Sequence, residues 1–290
     1  MTYELAIGDR TYSSWSLRGW LLFEKFDVDM RLQTARMYSD AFQAMLAKFP
    51  PARLVPVMKT PEGEVVQDTL AMAETLAERH PDKGFWPKEA NARSFARSLS
   101  AEMHAGFSYL RTDCPMNLRR IYDGFQPSDA VLADVSRLGQ LWAMAKDRFG
   151  AGGPWLFGDY SIADVFFAPA ATRLATYQLP MDEFSKTYVQ THLSDLSFRR
   201  WRAMGLAENY IQPGYDKDLP EIDWTGPKAL KAAAIPSGPS ENATCPYSGQ
   251  PVSHFMQVDQ RIFGFCNGFC RDKTVADPMA WPGFVKIYEN

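Results

Sequence analysis

Short apolar strands alternate with amphipathic helices over the first part of the chain. Alternating or continuous apolar residues predict strands at 3–7, 30–37, 55–58 and 65–67. Helical spacing of apolar residues predicts helices at 17–26 and 41–49 and a third that begins at Asp68. This order of strands and helices predicts a small mixed α/β domain over residues 1–82.

The next segment, residues 88–210, carries only helical patterns. Apolar residues recur at helical spacing along 92–110 and 128–149. The tetrapeptide Ser-Ile-Ala-Asp at 161–164 has the spacing of a capping box, in which the serine hydroxyl and the aspartate carboxylate satisfy free amides at the helix start. We therefore expect an all-helical second domain.

The composition changes after this helical segment. Five prolines interrupt residues 211–244, which predicts a linker or a strap along the surface. Compact patterning returns over 245–290, where aromatic residues alternate and three of the four cysteines lie. The chain is thus expected to consist of two domains, a linker and a small cysteine-rich extension.

Composition excludes several classes of protein. The net charge of the 290 residues is −3, with 31 Lys and Arg against 34 Asp and Glu, which gives no sign of a nucleic acid or membrane partner. Four cysteines in a chain of this length argue against a disulfide scaffold. The N-terminal residues carry Glu4 and Asp9 without the apolar core of a signal peptide, so we expect a cytoplasmic protein.

Three short motifs in the first domain carry candidate chemistry. A hydroxyl of Ser13 or Ser14, at the start of the first helix, can lower the pKa of an incoming thiol or simply cap the helix. Pro56 directly before a strand suggests a cis peptide bond. Asp68 and Thr69 open the third helix, where free amides and a carboxylate can hold a zwitterion, although plain capping by Asp68 explains them as well.

These motifs together resemble the glutathione S-transferase superfamily, in its bacterial serine-type, zeta-like branch. The matching segments are Ser13-Ser14-Trp15-Ser16-Leu17-Arg18, Leu54-Val55-Pro56-Val57, Asp68-Thr69-Leu70-Ala71-Met72 and Ser161-Ile162-Ala163-Asp164. The resemblance covers residues 1–210 and implies a thioredoxin-like α/β domain followed by an all-α domain, usually paired as a homodimer. The region 245–290 contains Cys245-Pro246-Tyr247-Ser248-Gly249 and Phe265-Cys266-Asn267-Gly268-Phe269-Cys270, and on these segments it resembles the YHS/TRASH type of short metal-binding module.

The resemblance also implies a glutathione site. Ser13 or Ser14 stabilises the thiolate, and Ser13 is preferred because it aligns with the first serine of the family's pair. The residues implied in holding the rest of glutathione are Trp15, Val55, Pro56, Asp68 and Thr69. Trp15 stands where zeta-like members carry cysteine, which argues against isomerase chemistry of the maleylacetoacetate kind.

The electrophile is expected between the two domains. Candidate pocket residues on the long helix are Met103, His104, Phe107, Tyr109 and Arg111. The alternative is that the apolar members of this group belong to the core and that His104 is structural. Cys114 is expected to fill space near a helix end.

The cysteines of the tail can meet at one point. Cys245 lies on a turn, and Cys266 and Cys270 are four residues apart, so both thiols face one way on a helix. Structural zinc takes four ligands, which predicts a zinc site with His254, Asp272 or water as the fourth. Three free thiols, or a redox pair of Cys266 and Cys270, are the alternatives.

We expect an enzyme that conjugates glutathione to a small hydrophobic electrophile, with zinc as a structural metal. A glutathione-dependent isomerase or dehalogenase is an alternative within the same class of enzymes. The alternative of another class is a non-catalytic binding or scaffold protein whose tail is a metal-dependent interaction module.

Overall fold

The structure, a computed structural model, describes residues 2–290. The chain forms two compact units. The first comprises Met1–Leu193 and Gln212–Asp223, and the second comprises Ser194–Ile211 and Trp224–Asn290. These units cut across the segment expected to be a linker, and the division at 82, 210 and 244 stays a prediction.

The first unit begins with a four-stranded mixed sheet. Its strands are β1 (Tyr3–Ile7), β2 (Met30–Thr34), β3 (Val57–Lys59) and β4 (Val65–Gln67), in the order β2-β1-β3-β4. β1 is parallel to β2 and antiparallel to β3, which is antiparallel to β4. The accompanying helices are α1 (Ser14–Glu24), α2 (Asp40–Leu46) and α3 (Thr69–Arg79). The thioredoxin-like domain expected from the sequence is confirmed.

Helix α1 approaches the loop before β3 very closely. A Cβ at Gly19 would lie 2.6 Å from Cβ of Pro56, so only glycine allows this approach. The Val55–Pro56 peptide bond is cis, as the sequence suggested. The close contact holds the start of α1 and the loop before β3 next to each other, which brings two of the three sequence motifs together.

The rest of the first unit is largely helical, as expected. Its helices are α4 (Ala90–Ala105), α5 (Ser108–Asp113), α6 (Asp129–Phe149), α7 (Ile162–Thr176) and α8 (Glu183–Ser194). The helix expected over 92–110 is instead two helices, because Phe107 has a left-handed backbone with φ of 57°. A short strand, β5 (Ile121–Tyr122), also interrupts the helical segment and pairs with β6 (Glu221–Ile222).

Helix α7 lies at the centre of the first unit, and every one of its residues is buried. The expected capping box is present: Asp164 Oδ2 accepts from the backbone of Ser161 over 2.9 Å, and Tyr188 Oη donates to Oδ1 over 2.8 Å. Burial raises the pKa of Asp164 to about 6, against the lowering effect of these hydrogen bonds. Over residues 2–290, none of the helices combines the length and the apolar character that a membrane span requires.

The second unit contains a three-stranded antiparallel sheet and three helices. Its elements are α9 (Leu196–Ala207), β7 (Ala232–Ile235), β8 (His254–Val258), β9 (Arg261–Phe265), α10 (Gly268–Ala276) and α11 (Pro282–Tyr288). Met256, Phe263 and Phe284 form its apolar centre. The guanidinium of Arg199 on α9 makes two hydrogen bonds, of 2.7 and 2.9 Å, to the carboxylate of Asp277 just after α10. Helix α9 therefore packs with the cysteine-rich tail.

Candidate functional site

A cavity of about 980 Å³ opens in the first unit, where the starts of α1 and α3 and the loop before β3 meet. All seven residues implied in the glutathione site line it, namely Ser13, Ser14, Trp15, Val55, Pro56, Asp68 and Thr69. The structure thus brings the three sequence motifs to one place, and the roles of the individual residues stay predictions.

The two serines at the start of α1 have different surroundings. Ser13 is buried and caps the helix: its Oγ accepts from the amide of Ser16 over 3.2 Å and donates to Oγ of Ser16 over 2.8 Å. Ser14 Oγ instead accepts a hydrogen bond of 3.2 Å from Nη2 of Arg173 on α7. A hydroxyl has one proton to donate, so Ser13 has used its proton within the helix start, whereas that of Ser14 remains for a ligand.

The start of α3 presents both charge and free hydrogen-bonding groups. Asp68 caps the helix, with Oδ1 accepting from the amide of Leu70 over 2.7 Å, and its φ of 78° is strained for a residue other than glycine. Its Oδ2 lies 3.1 Å from Nε2 of His104 on α4. The buried hydroxyl of Thr69 has no hydrogen-bond partner within residues 2–290. Groups of this kind suit a ligand that carries both an ammonium and a carboxylate.

Arg111 and Arg173 line the cavity, and Arg18 lies behind them against the ring of the lining residue Trp15. We call these three residues the arginine cluster. Arg173 is buried and donates to the carbonyl oxygens of Cys114 and Pro169 and to Ser14, all neutral acceptors. Arg111 donates to backbone carbonyls of His104 and Gly106. Nε and Nη1 of the buried Arg18 have no hydrogen-bond partner in the described part of the chain. No salt bridge to a carboxylate is present for these three side chains within residues 2–290.

The physical consequence is a concentration of positive charge that exceeds the one negative charge opposing it, that of Asp68. Burial, together with repulsion by Arg173 and Arg111, holds the pKa of Arg18 well below its usual range, and Asp68 is the carboxylate that opposes this. Burial and the charge of Arg111 lower the pKa of Arg173 to about 10. An anion bound in the cavity would relieve this repulsion, because opposite charges at short range favour each other's charged form.

Trp15 lies among the same charged groups. The guanidinium carbons of Arg18 and Arg111 lie 4.6 and 4.8 Å from its ring centroid. The ring of His104 meets it edge-on at 5.2 Å. Burial is the main cause of the lowered pKa of His104; Asp68 raises this pKa, whereas Arg18 and Arg111 lower it further. Trp15 therefore offers an aromatic surface polarised by two cations.

The residues expected to form the electrophile pocket divide between cavity and core. Arg111 lines the cavity, and His104 borders it through Asp68. Met103 and Phe107 are buried in the core and do not line it, and neither does Tyr109, which is exposed on α5. Cys114 is also buried, and burial raises the pKa of its thiol to about 12. Met103 and Phe107 therefore belong to the core, which is the alternative that their helical spacing suggested.

Among the cavity residues that the sequence analysis did not identify, Arg173 and Tyr215 bear most on the chemistry of the site. Arg173 is the one basic residue of the very apolar helix α7, and a cation in such a helix is a signal that the sequence does carry. Tyr215 follows the helical segment in sequence. It lines the cavity because residues 212–223 belong to the first unit again, after residues 194–211 have belonged to the second. No local pattern marks it.

The three cysteines of the tail are close together in the second unit. The sulfurs of Cys245, Cys266 and Cys270 all lie within 4.8 Å of one another, and those of Cys266 and Cys270 are 3.9 Å apart. Burial raises the pKa of the Cys245 thiol, but backbone amides of Cys266, Tyr247 and Ser248 outweigh it and lower that pKa to about 7. The cluster combines an acidified thiol with two further sulfur donors.

The two protein side chains expected as the fourth ligand, those of His254 and Asp272, do not join this cluster. His254 is not among the grouped ligand atoms, and its Nδ1 is 3.0 Å from Oγ of Ser253. Asp272 accepts a hydrogen bond from Nε of Arg271 over 2.7 Å. Ser248 Oγ and Asn267 Nδ2 donate to the Cys266 sulfur over 3.2 and 3.4 Å. Of the three expected fourth ligands, water is the one compatible with this arrangement.

Comparison with known proteins agrees with this site. The family model described as "Glutathione S-transferase, N-terminal domain" matches residues 12–79. A protein of Caenorhabditis elegans named probable maleylacetoacetate isomerase is 32% identical over 177 residues, which make up 60% of this chain and 80% of that protein.

Solved structures share the fold. A glutathione transferase homolog from Burkholderia BGR1, solved with bound glutathione, has a TM-score of 0.54 at 20% identity and covers 71% of this chain and 98% of its own. A glutathione S-transferase from Rhodospirillum rubrum F11 has a TM-score of 0.53 at 20% identity and covers 73% of this chain and 95% of its own. The family model matches the segment that holds the cavity motifs, and this chain covers 80% of the Caenorhabditis relative at 32% identity. The chain therefore belongs to the glutathione S-transferase superfamily.

Proposed function

We propose that the protein is a glutathione transferase that joins glutathione to a small hydrophobic electrophile in this cavity. The observation that carries the proposal is the meeting of Ser14 with the arginine cluster at the start of α1. A hydroxyl donor, a helix N-terminus and an excess of positive charge are what a bound thiolate needs for a lowered pKa.

The start of α3 would hold the γ-glutamyl end of glutathione. Asp68 would accept from the ammonium, and the helix amides with the Thr69 hydroxyl would donate to the carboxylate. The backbone of Val55, fixed next to Pro56, would pair with the cysteinyl part. The Caenorhabditis relative and the family match over residues 12–79 support this assignment.

In the proposed reaction, the thiol proton is lost to solvent when glutathione binds. The thiolate sulfur then attacks the electrophilic carbon, so that a C–S bond forms and the leaving group, such as a halide, departs with its bonding electron pair. Ser14 donates a hydrogen bond to the thiolate before attack. The arginine cluster stabilises the negative charge of the thiolate. This electrostatic stabilisation is stronger in a site shielded from water.

Retention on immobilised glutathione and turnover of chlorodinitrobenzene with glutathione test this proposal. Retention with turnover is the expected result. Retention without turnover would favour the binding or scaffold alternative, and full activity of a Ser13→Ala/Ser14→Ala double variant would contradict the serine mechanism. The homodimer and the cytoplasmic location stay predictions.

A glutathione-dependent isomerase is the second candidate. The name of the Caenorhabditis relative supports it, and the arginine cluster would suit a substrate that carries a carboxylate. Trp15, in the place of the cysteine of zeta-like members, weighs against it. Incubation with maleylacetoacetate and glutathione decides the matter, since only the isomerase reading predicts that the cis isomer is converted into the trans isomer while the amount of free glutathione stays constant.

For the tail we propose a structural zinc ion held by Cys245, Cys266 and Cys270 with water as the fourth ligand. Zinc–sulfur bonds of about 2.3 Å in a tetrahedron place two sulfurs about 3.8 Å apart. The 3.9 Å between the sulfurs of Cys266 and Cys270 fits this value. The zinc ion would cross-link the turn at Cys245 to the start of α10 and so stabilise the fold of the tail.

A further inference from the structure

A second cavity, of about 390 Å³, lies in the first unit where α6, the end of α7 and the start of α8 meet. Within residues 2–290 it shares no lining residue with the cavity at the start of α1. Its volume lies within the range of small-molecule sites in proteins. The side chains that form its apolar wall are those of Leu132, Val135, Leu174 and Met181.

Gly139 on α6 leaves this second cavity open toward the start of α8. A Cβ at this position would lie 3.3 Å from Oδ2 of Asp182 and 3.5 Å from Oγ of Ser185. Both oxygens therefore border the space that a side chain at position 139 would occupy. A single polar group of a ligand beside Gly139 can reach both of them.

The hydroxyl of Ser185 is buried without a hydrogen-bond partner. Ser185 is only 3% exposed and lines the cavity, and its Oγ has no partner within residues 2–290. Its backbone amide donates to Oδ1 of Asp182 over 2.6 Å, which fixes the residue in the first turn of α8. Because an unsatisfied buried hydroxyl costs free energy, a ligand that bonds to it gains by removing that cost.

The carboxylate of Asp182 gives the second cavity a negative charge. Asp182 is exposed and uses Oδ1 to cap α8, while Oδ2 faces Gly139. The neighbouring Lys186 pairs instead with Glu183 over 2.6 Å. In the part of the chain that the structure describes, none of the residues lining the cavity is Lys, Arg or His. The cavity thus combines an apolar wall with one anionic group that has no cation beside it.

We propose that the second cavity binds a small organic amine. The ammonium group donates to Oδ2 of Asp182 and to Oγ of Ser185, and the apolar part of the ligand packs on the apolar wall. An ammonium has several protons to donate and no acceptor, which suits two acceptor oxygens that flank one space. The carboxylate of Asp182 disfavours an anionic ligand there. The proposal is independent of the proposed glutathione transferase function, since the two cavities share no lining residue.

Titration of the full chain with two fluorinated probes, followed by 19F NMR, tests the proposal. The probes are 2-(4-fluorophenyl)ethylamine and its neutral counterpart 2-(4-fluorophenyl)ethanol. The wild-type protein should bind the amine roughly 3- to 10-fold more tightly than the alcohol, because the alcohol carries no charge toward Asp182. Asp182→Asn keeps an oxygen for the cap and should remove this preference, with alcohol binding changed by less than about twofold. Gly139→Leu should weaken both probes, because its side chain fills the space beside Asp182.

Asp195→Asn is the matched control. Asp195 caps α9 in the same way, with Oδ1 accepting from the amides of Ser197 and Phe198 over 3.0 and 3.1 Å, and it does not line the second cavity. Its replacement should leave both affinities unchanged. Equal binding of amine and alcohol by the wild-type protein would overturn the inference, as would amine binding that Asp182→Asn does not weaken, which would place the amine elsewhere. No binding of either probe would also overturn it and leave the second cavity to water.

Discussion

Arg173 on α7 donates a hydrogen bond from Nη2 to Oγ of Ser14 over 3.2 Å, across 159 positions of sequence. The contact joins the central helix of the first unit to the first turn of α1. This hydrogen bond occupies a lone pair of the Ser14 hydroxyl oxygen and leaves the hydroxyl proton available to a ligand. Arg173 therefore acts on a bound thiolate both through its own charge and through Ser14.

The two serines should therefore respond differently to replacement by alanine. Loss of a hydrogen bond to a charged group removes about 1.5–3 kcal/mol, so Ser14→Ala should lower kcat/KM for conjugation by roughly 10- to 100-fold. Ser13→Ala should lower it by less than about 5-fold and reduce the free energy of unfolding by about 1 kcal/mol, since Ser13 is the cap. Steady-state kinetics and chemical denaturation of both variants measure these effects, and the reverse order of activities would return the catalytic role to Ser13.

Arg18 should stabilise bound anions at the expense of the fold. Two of its buried nitrogens lack partners, and a buried unsatisfied group costs about 1–3 kcal/mol. Arg18→Met should thus raise the free energy of unfolding by about 1 kcal/mol while weakening glutathione binding. Urea denaturation and calorimetry on the same preparations check both effects, and a variant that is strongly destabilised but binds glutathione normally would contradict the account.

Gly19 should tolerate no side chain. A methyl group there would lie 2.6 and 2.7 Å from Cβ and Cγ of Pro56, both part of a rigid ring. We expect Gly19→Ala to lower the free energy of unfolding by about 2 kcal/mol or more and to weaken glutathione binding through displacement of Val55.

The matched control is Gly139→Ala in α6. Its Cβ would meet the end of the exposed Asp182 side chain at 3.3 Å, a contact that a shift of a few tenths of an ångström relieves. The gain in helix propensity offsets the tight contact, so the free energy of unfolding should change by less than about 1 kcal/mol. Equal destabilisation by the two substitutions would show that the Pro56 contact is unimportant.

His192 should make the stability of the protein fall in acid. Burial is the main cause that lowers its pKa from 6.5 to about 3, so below pH 6.5 the unfolded chain binds a proton that the folded chain does not. This part of the stability is complete above pH 6.5 and is lost progressively as the pH falls toward about 3. Between about pH 6.5 and about pH 5, the loss of stability amounts to about 1.6 kcal/mol. His192→Phe keeps a ring against Tyr188 and should show a decline smaller by this amount in denaturation curves at the two pH values.

The tail should contain about one zinc ion per chain after dialysis against metal-free buffer. Cys266→Ser should lose most of this metal, whereas Cys114→Ala should keep it, because Cys114 belongs to the first unit and is not one of the three grouped cysteines. Elemental analysis of the three proteins measures the metal content. Metal-free wild-type protein with unchanged stability would remove zinc from the account.

Local sequence signals predicted the elements that hold the glutathione motifs. Ser13 and Asp68 mark the starts of α1 and α3 as capping residues, and both caps are present. These signals work because capping depends on neighbouring residues alone. The same applies to the capping box of α7.

Features that depend on residues far apart in the chain could not be predicted from local sequence signals. The left-handed Phe107, which divides the helix expected over 92–110, lies within an apolar pattern that continues across it. The pairing of Ile121 with Ile222 and the return of Tyr215 to the cavity join segments about a hundred residues apart. The arginine cluster likewise exists only once α1, α5 and α7 have packed together.

The pKa of the thiol of bound glutathione tests the central claim most directly. Titration of the thiolate absorbance in the wild-type complex should give a value at least about 1 unit below that of a free thiol, because Ser14 and the arginine cluster favour the anion. Ser14→Ala should move the value back toward that of free glutathione, and Ser13→Ala should leave it nearly unchanged. A bound thiol that titrates like free glutathione in the wild-type protein would contradict the account.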